Sequence, residues 1–230
     1  MKVTGEKTTV FQTELIRLLR GLRREIYSGI RLPKERLVEK DLAEAWSVGR
    51  MVVRQALTQL ETEGLVVIEP YKGATVAEIS LVRILENYQV VSMMEGFAAM
   101  TATERLSAAD FKVLADNLAE QRSLEVGDVQ RWQEVNHRFH RVINLKCGNA
   151  KLIDLIRRHC QFTSYWFIVL SAPGRIPINI EEHQNLVEAL TRRDPVEARR
   201  LVERHIMGAG EYLVEFLRKN MPAGIWRESR

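Results

Sequence analysis

Cysteine is nearly missing from this chain: Cys147 and Cys160 are its two thiols, and they sit on no metal-motif spacing. With no secretory leader legible at the start, they read as reduced thiols rather than a disulfide, and a cytoplasmic location is expected. Also missing is any run of about 18 apolar residues, so no membrane span is expected. Charge of one sign is lacking too. The net charge is +4 over 230 residues, and residues 1–78 hold thirteen basic against eleven acidic side chains. Gross electrostatics therefore marks neither half as a polyanion binder, and any such role must rest on where individual arginines stand. No bias of composition points to a fibrous or disordered chain, and a hydrophobic content of 46% is ample for two modest cores.

What is present is concentrated first in Asp41–Val66, DLAEAWSVGRMVVRQALTQLETEGLV. Leu42, Ala43 and Ala45 give a short helix an apolar stripe, and Ser47, Val48 and Gly49 interrupt it as a turn around one buried valine. A second helix opens at about Arg50. Its Val53, Ala56, Leu57 and Leu60 fall at core-facing spacing, which leaves Arg50, Met51, Val52 and Arg54 on the exposed end. Two arginines one turn apart at a helix N-terminus suit phosphates and guanine edges, because guanidinium is a planar fork of donors. Taken alone they would equally suit a solvated face of an ordinary helical hairpin. The next residues weigh toward recognition: Gly64 closes the helix, and LVVIEP (65–70) and ATVAEI (74–79) flank Tyr71-Lys72-Gly73 as a β-hairpin with a basic tip.

Residues 26–76 resemble the winged-helix domain of the GntR superfamily of bacterial transcription regulators. The landmarks are LPKERLVE (32–39), LAEAWSVGRMVVRQAL (42–57) and EGLV (63–66). The resemblance implies contacts to a double-stranded DNA operator from Lys40, Gly49, Arg50, Arg54, Lys72 and Gly73. Three positions depart from the family pattern. Gly49 replaces the usual Ser or Thr, Met51-Val52 replaces Thr-Pro, and Lys34 replaces the glycine after Pro33. Losing a hydroxyl removes a polar contact, whereas Met51 and Val52 favour a thymine methyl.

Along the rest of the chain, residues 1–8 read as frayed and the first helix as about 9–28, striped by Leu15, Leu18, Leu19, Leu22 and Ile26. Glu78-Ile79-Ser80 is a linker too short for independent tumbling. From Leu81 onward the pattern is helical with no strand. Leu81, Ile84, Leu85, Tyr88 and Val91 stripe a helix to about residue 104, and Ser107 to Asp110 forms a capping box for another ending near 123. A third runs from Asp128 to Gly148, a fourth from Asn149 to about 169, then comes a loop at 171–177 and a fifth helix at 178–192. Asp194-Pro195-Val196-Glu197 starts a sixth, reaching about 219. The fold expected is mainly α: a winged helix-turn-helix (1–78) followed by an antiparallel bundle of about six helices (79–230).

All five histidines lie in that bundle. Asn136 and His140 share a helix face, and His183 and His205 lie on apolar stripes. Each singly suits a hydrogen-bonded core residue; three inward imidazoles on three helices also suit a metal. Residues 81–215 resemble the FCD ligand-binding domain that follows the winged helix in one GntR branch, through NHRFHRVI (136–143), EEHQNLVEAL (181–190) and DPVEARRLVERH (194–205). The resemblance implies a divalent transition metal (Zn, Ni or Mn) held by Asn136, His140, His183 and His205. Asn136 stands where the family has Asp, which weakens the ligand set. His137 reads as a solvated neighbour and His159 as no ligand. Val91 replaces an arginine that holds acidic effectors. Three neutral imidazoles and an amide leave a dication's charge uncompensated, so a small organic acid bound through the metal is the expected effector. A neutral ligand in an apolar pocket beside Val91, Met94 and Phe97 is the competitor. Gly208 and Gly210 mark a close helix contact, a kink, or mere tolerance.

The function expected is a ligand-responsive transcription regulator, acting as a repressor and a homodimer on a pseudo-palindromic operator, and no enzyme. The rival from another class is a metal-dependent hydrolase using the histidines, which would require a positioned general base that the sequence does not identify. A DNA-binding architectural protein with a purely structural bundle is the third reading.

Overall fold

The computed structural model describes residues 3–27, 30–125, 128–159, 174–220 and 226–228. The chain divides into two compact units: residues 1–80 with 221–229, and residues 81–220 with Arg230.

The first unit is a winged helix-turn-helix. Helix α1 (Val3–Tyr27) buries Leu15, Leu18, Leu19, Leu22 and Ile26. It begins six residues before the expected start at 9, because an apolar stripe marks where a helix packs rather than where its hydrogen bonding begins. Strand β1 (Arg36–Leu37) leads into α2 (Glu39–Trp46) and α3 (Arg50–Thr62). Leu42 anchors α2, Ala45 is exposed and Val48 is half-buried. Ser47 closes α2 in the left-handed region at φ 50°. Gly21 lets α1 and Trp46 meet, since a Cβ there would lie 1.7 Å from the indole.

Helix α3 corrects one expectation. Val52 is buried along with Val53, Ala56, Leu57 and Leu60, because α3 packs against both α1 and the strand that follows it and so needs an apolar face wider than one stripe. Met51 alone remains as an exposed apolar side chain at that end, at 67%. The wing is β2 (Val66–Glu69) antiparallel to β3 (Gly73–Val76), and β1 pairs the other side of β3, giving the order β1-β3-β2. Tyr71 and Gly73 turn the tip with φ of 66° and 92°. Ile79–Ser80 is a strand, β4, paired in parallel with β5 (Trp226–Arg227). The expectation of no strand after Leu81 is therefore corrected at β5, a two-residue pairing too short to show a period in sequence.

The second unit is all-helical: α4 (Leu81–Ala102), α5 (Ala108–Ser123), α6 (Val129–Leu145), α7 (Ala150–His159), α8 (Arg175–Thr191) and α9 (Pro195–Asn220). Ser107 and Asp110 form the reciprocal cap of α5, and Asp128 caps α6 through the Arg131 N–H. The fourth helix is described as far as His159; its expected continuation to 169, the start of the loop and Cys160 fall outside the described residues. Helix α8 begins at Arg175, so Pro177 lies in its first turn rather than in a loop; first-turn N–H groups have no intrahelical partner, and proline is tolerated there. Helix α9 packs along α4. Gly210 permits this, because a Cβ there would come 2.6 Å from the Tyr88 ring, whereas one at Gly208 would meet nothing. Of the three glycine readings, close contact thus belongs to Gly210 and tolerance to Gly208. Cys147 is a buried free thiol packed with Ala98, Leu152 and Ile156.

Candidate metal centre and nucleic-acid interface

Three helices of the bundle bring His140 (α6), His183 (α8) and His205 (α9) together. One ring nitrogen from each can be chosen so that all lie within 4.8 Å of one another. Ring centroids are 5.2 Å apart for His140–His183 and His140–His205, and 4.7 Å for His183–His205. Nitrogens sharing one ion stand about 3 Å apart, given bonds of about 2.1 Å, so the rings would have to move inward to hold one.

Each imidazole is oriented by a side-chain oxygen at Nδ1. Glu95 meets His140 at 2.9 Å, Gln121 meets His183 at 2.9 Å, and Glu182 meets His205 at 2.7 Å. The carboxylates can only accept, so they fix Nδ1–H on His140 and His205. Gln121 spends its amide nitrogen on Asn117 at 2.7 Å, and Asn117 in turn donates to the Val135 carbonyl; Gln121 therefore turns its oxygen to His183. Nε2 is left as the lone-pair nitrogen on all three rings. On His183 and His205 that atom is buried and has no hydrogen-bond partner among the described residues. Orientation of this kind is what ligating histidines need.

Burial, reinforced by His205 and His140, holds the His183 pKa well below its ordinary value. Burial also lowers that of His205, although the Glu182 bond opposes it. Both rings are thus kept neutral and able to ligate. Burial would raise the Glu182 pKa, but its bond to His205 and the charges of His205 and Arg175 hold it below the ordinary range. Asn136 lies one turn before His140 on α6, is buried, and its Oδ1 has no hydrogen-bond partner among the described residues. An amide oxygen and three Nε2 atoms would be a donor set suited to Zn, Ni or Mn, with imidazole dominant. His137 is exposed, and His159 bonds its own helix at the Leu155 carbonyl.

Glu95, Gln121, Glu182 and Arg175 were missed as parts of this site. Glu95 had a sequence signal: a lone acid amid the apolar run of α4, which when buried requires a partner. Of the side chains named for the competing apolar pocket, Val91 is buried and Phe97 is 41% exposed on α4.

In the first unit Arg50 and Arg54 are exposed on α3. The Arg54 Nε donates to both oxygens of Glu39 at 2.9 Å, a competitor that sequence reading missed. Gly49 caps α3 with φ −70° and ψ 149°, no side-chain cap, and open space where a Cβ would stand. Lys40 is exposed and 3.9 Å from Glu44. At the wing tip Lys72 pairs with Glu69 at 2.6 Å, its carbonyl accepts from Arg36 at 2.9 Å, and Tyr71 is fully exposed beside it. Lys34 holds φ 68°, the backbone that the family's glycine would suit.

Residues 17–76 match the profile of the bacterial regulatory proteins of the gntR family, and residues 86–208, more than half of the chain, match the FCD domain. The HTH-type transcriptional repressor RspR of Escherichia coli is 24% identical over 209 residues, covering 88% of this chain and 90% of that protein. The repressor GlaR of the same organism is 27% identical over 201 residues, covering 82% and 90%. Among solved structures, E. coli McbR/YncC superposes with a TM-score of 0.70 at 22% identity, covering 88% of this chain and 97% of that one. A two-unit architecture of winged helix and histidine-bearing bundle, matched across both halves, places this chain in the GntR family of bacterial transcription regulators, in the branch that carries an FCD domain.

Proposed function

We propose that this regulator is a ligand-responsive repressor that binds a pseudo-palindromic operator as a homodimer and senses a small organic acid through a metal held by His140, His183, His205 and Asn136. The observation that supports the sensing half is the set of three imidazoles gathered from three helices, each held at Nδ1 by a side-chain oxygen so that Nε2 is left for a ligand. Bound there, a divalent ion would supply the cationic anchor for a carboxylate. The rival hydrolase reading is not favoured, because the adjacent carboxylates Glu95 and Glu182 are engaged by imidazole N–H groups rather than poised as a base.

On the DNA side, Arg50 and Arg54 would reach base edges, while Lys40, Gly49, Lys72 and Gly73 would sit on backbone. The exposed stripe Val90, Met93 and Phe97 on α4 supports a second copy as partner, since it has the spacing of one helix face and no cover among the described residues. Residues 1–78 would form the DNA-reading module and 79–230 the sensing one. Selection of bound sequences from random DNA tests the operator reading. A two-fold symmetric site is expected, with Arg50→Ala and Arg54→Ala each losing about 1–3 kcal/mol of specific binding at unchanged helicity. Unchanged affinity in both variants would refute it.

A further inference from the structure

Beyond the ligand set, α8 presents Arg175, Asn179 and His183 at successive fourth positions, and all three are buried, with exposures of 4%, 0% and 0%. Among the described residues, both polar atoms of the Asn179 amide lack a hydrogen-bond partner, as does the Arg175 Nε. On α6, Trp132, Asn136 and His140 form a matching stripe, and the buried Trp132 Nε1 also lacks a partner among the described residues. Trp132 stacks 6.5 Å from His183. Folded proteins seldom leave so many buried donors and acceptors together without a guest.

The charge balance says what kind of guest. Arg175 is already paired, its guanidinium 3.0 Å from the same Glu182 oxygen that meets His205 at 2.7 Å, and it lies over the Tyr212 ring at 6.0 Å. The pair is close to neutral, so a second ligand charge would gain little there. Asn179 offers an NH2 that donates and an oxygen that accepts, which together match a hydroxyl; Nε–H of Arg175 and Nε1–H of Trp132 are further donors.

We infer that Asn179, with Arg175 and Trp132, forms a hydroxyl-reading subsite one helical turn from the metal ligands, so that the effector is a small acid with an uncharged hydroxyl at its far end. This rests on the metal-centred reading above. One turn of α8 separates Asn179 from His183, about 5.4 Å, roughly the span of a four-carbon chain. The discriminating probes are therefore butyrate, 4-hydroxybutyrate and succinate, which differ at the distal carbon.

Calorimetric titration of the full chain, loaded with Zn and then stripped, is the test. Loaded wild type is expected to bind 4-hydroxybutyrate at least tenfold more tightly than either butyrate or succinate. Asn179→Leu is expected to shrink the preference over butyrate below threefold while metal content and butyrate affinity stay unchanged. Should that variant fail to fold, Trp132→Phe removes a single donor and is expected to reduce the preference at least threefold. Equal binding of butyrate and 4-hydroxybutyrate by wild type, tighter binding of succinate, or a preference surviving in a folded Asn179→Leu protein would each overturn the subsite. Equal affinities in loaded and stripped protein would instead overturn the metal-centred reading, while a retained hydroxyl preference would leave the subsite standing. Binding of none of the three overturns both.

Discussion

Replacing Glu182 by Gln isolates what orients the ligands from the ligands themselves. The Glu182 oxygen meets His205 Nδ1 at 2.7 Å and Arg175 at 3.0 Å. An amide oxygen can keep the imidazole bond, so the ring stays placed, but the charge that makes His205 a stronger donor to a cation is lost. Loss of such support typically lowers metal affinity by about 10–100-fold, which is about 1.4–2.7 kcal/mol. The upper end is expected here, because Arg175 is 4% exposed and would be left as an uncompensated cation beside the dication. Breaking a fully buried pair costs about 3–5 kcal/mol of stability. Less is expected in this case, since the Glu182 side chain retains 19% exposure. Competition against a chelating indicator gives the affinity, and thermal unfolding of the stripped protein gives the stability. Glu197→Gln, which removes an exposed pair with Arg200, serves as control and should leave metal affinity unchanged. An unaltered metal affinity in Glu182→Gln would refute the role assigned to these oxygens.

Lys34→Gly relieves a left-handed backbone at φ 68° while giving up an exposed ion pair to Glu78. The net gain should be at most about 1 kcal/mol, seen as a rise of the melting temperature, and a fall would contradict the strain argument. Metal-free protein should lose stability on acidification. The folded pKa values of His183 and His205 lie below the ordinary 6.5, so the unfolded state takes up more protons below about pH 6.5. The stability is complete above that pH and declines beneath it by about 1.4 kcal/mol per unit for each ring; denaturant midpoints across pH 5–8 check the slope, and a flat profile would contradict it. Met93→Glu places a charge on the exposed α4 stripe and should yield monomers by sedimentation, whereas an unchanged dimer would remove that face from the interface.

Much of this architecture is legible in the chain because apolar spacing and caps are local. Ser107 and Asp110, or Asp194 before Pro195, announce a helix start without help from elsewhere. Which helices carry the histidines was equally plain. What spacing could not reveal is a partner chosen across the bundle: Glu182 adjoins His183 in sequence yet supports His205, 23 positions on, and Gln121 reaches His183 across 62. Val52 misled for a related reason, since the width of a buried face depends on how many neighbours a helix has. The pairing of β4 with β5 joins segments far apart in the chain and leaves no periodic trace in either.

Three converging imidazoles are expected to hold one metal ion. Titration of Co(II) into stripped protein, followed by its visible absorption, tests this most directly, with wild type and His183→Gln run side by side. Saturation at one equivalent per chain with nitrogen-ligand bands is expected in wild type, and loss of tight binding in a variant that remains folded. No cobalt spectrum in wild type, or the same spectrum and affinity in both proteins, would contradict it.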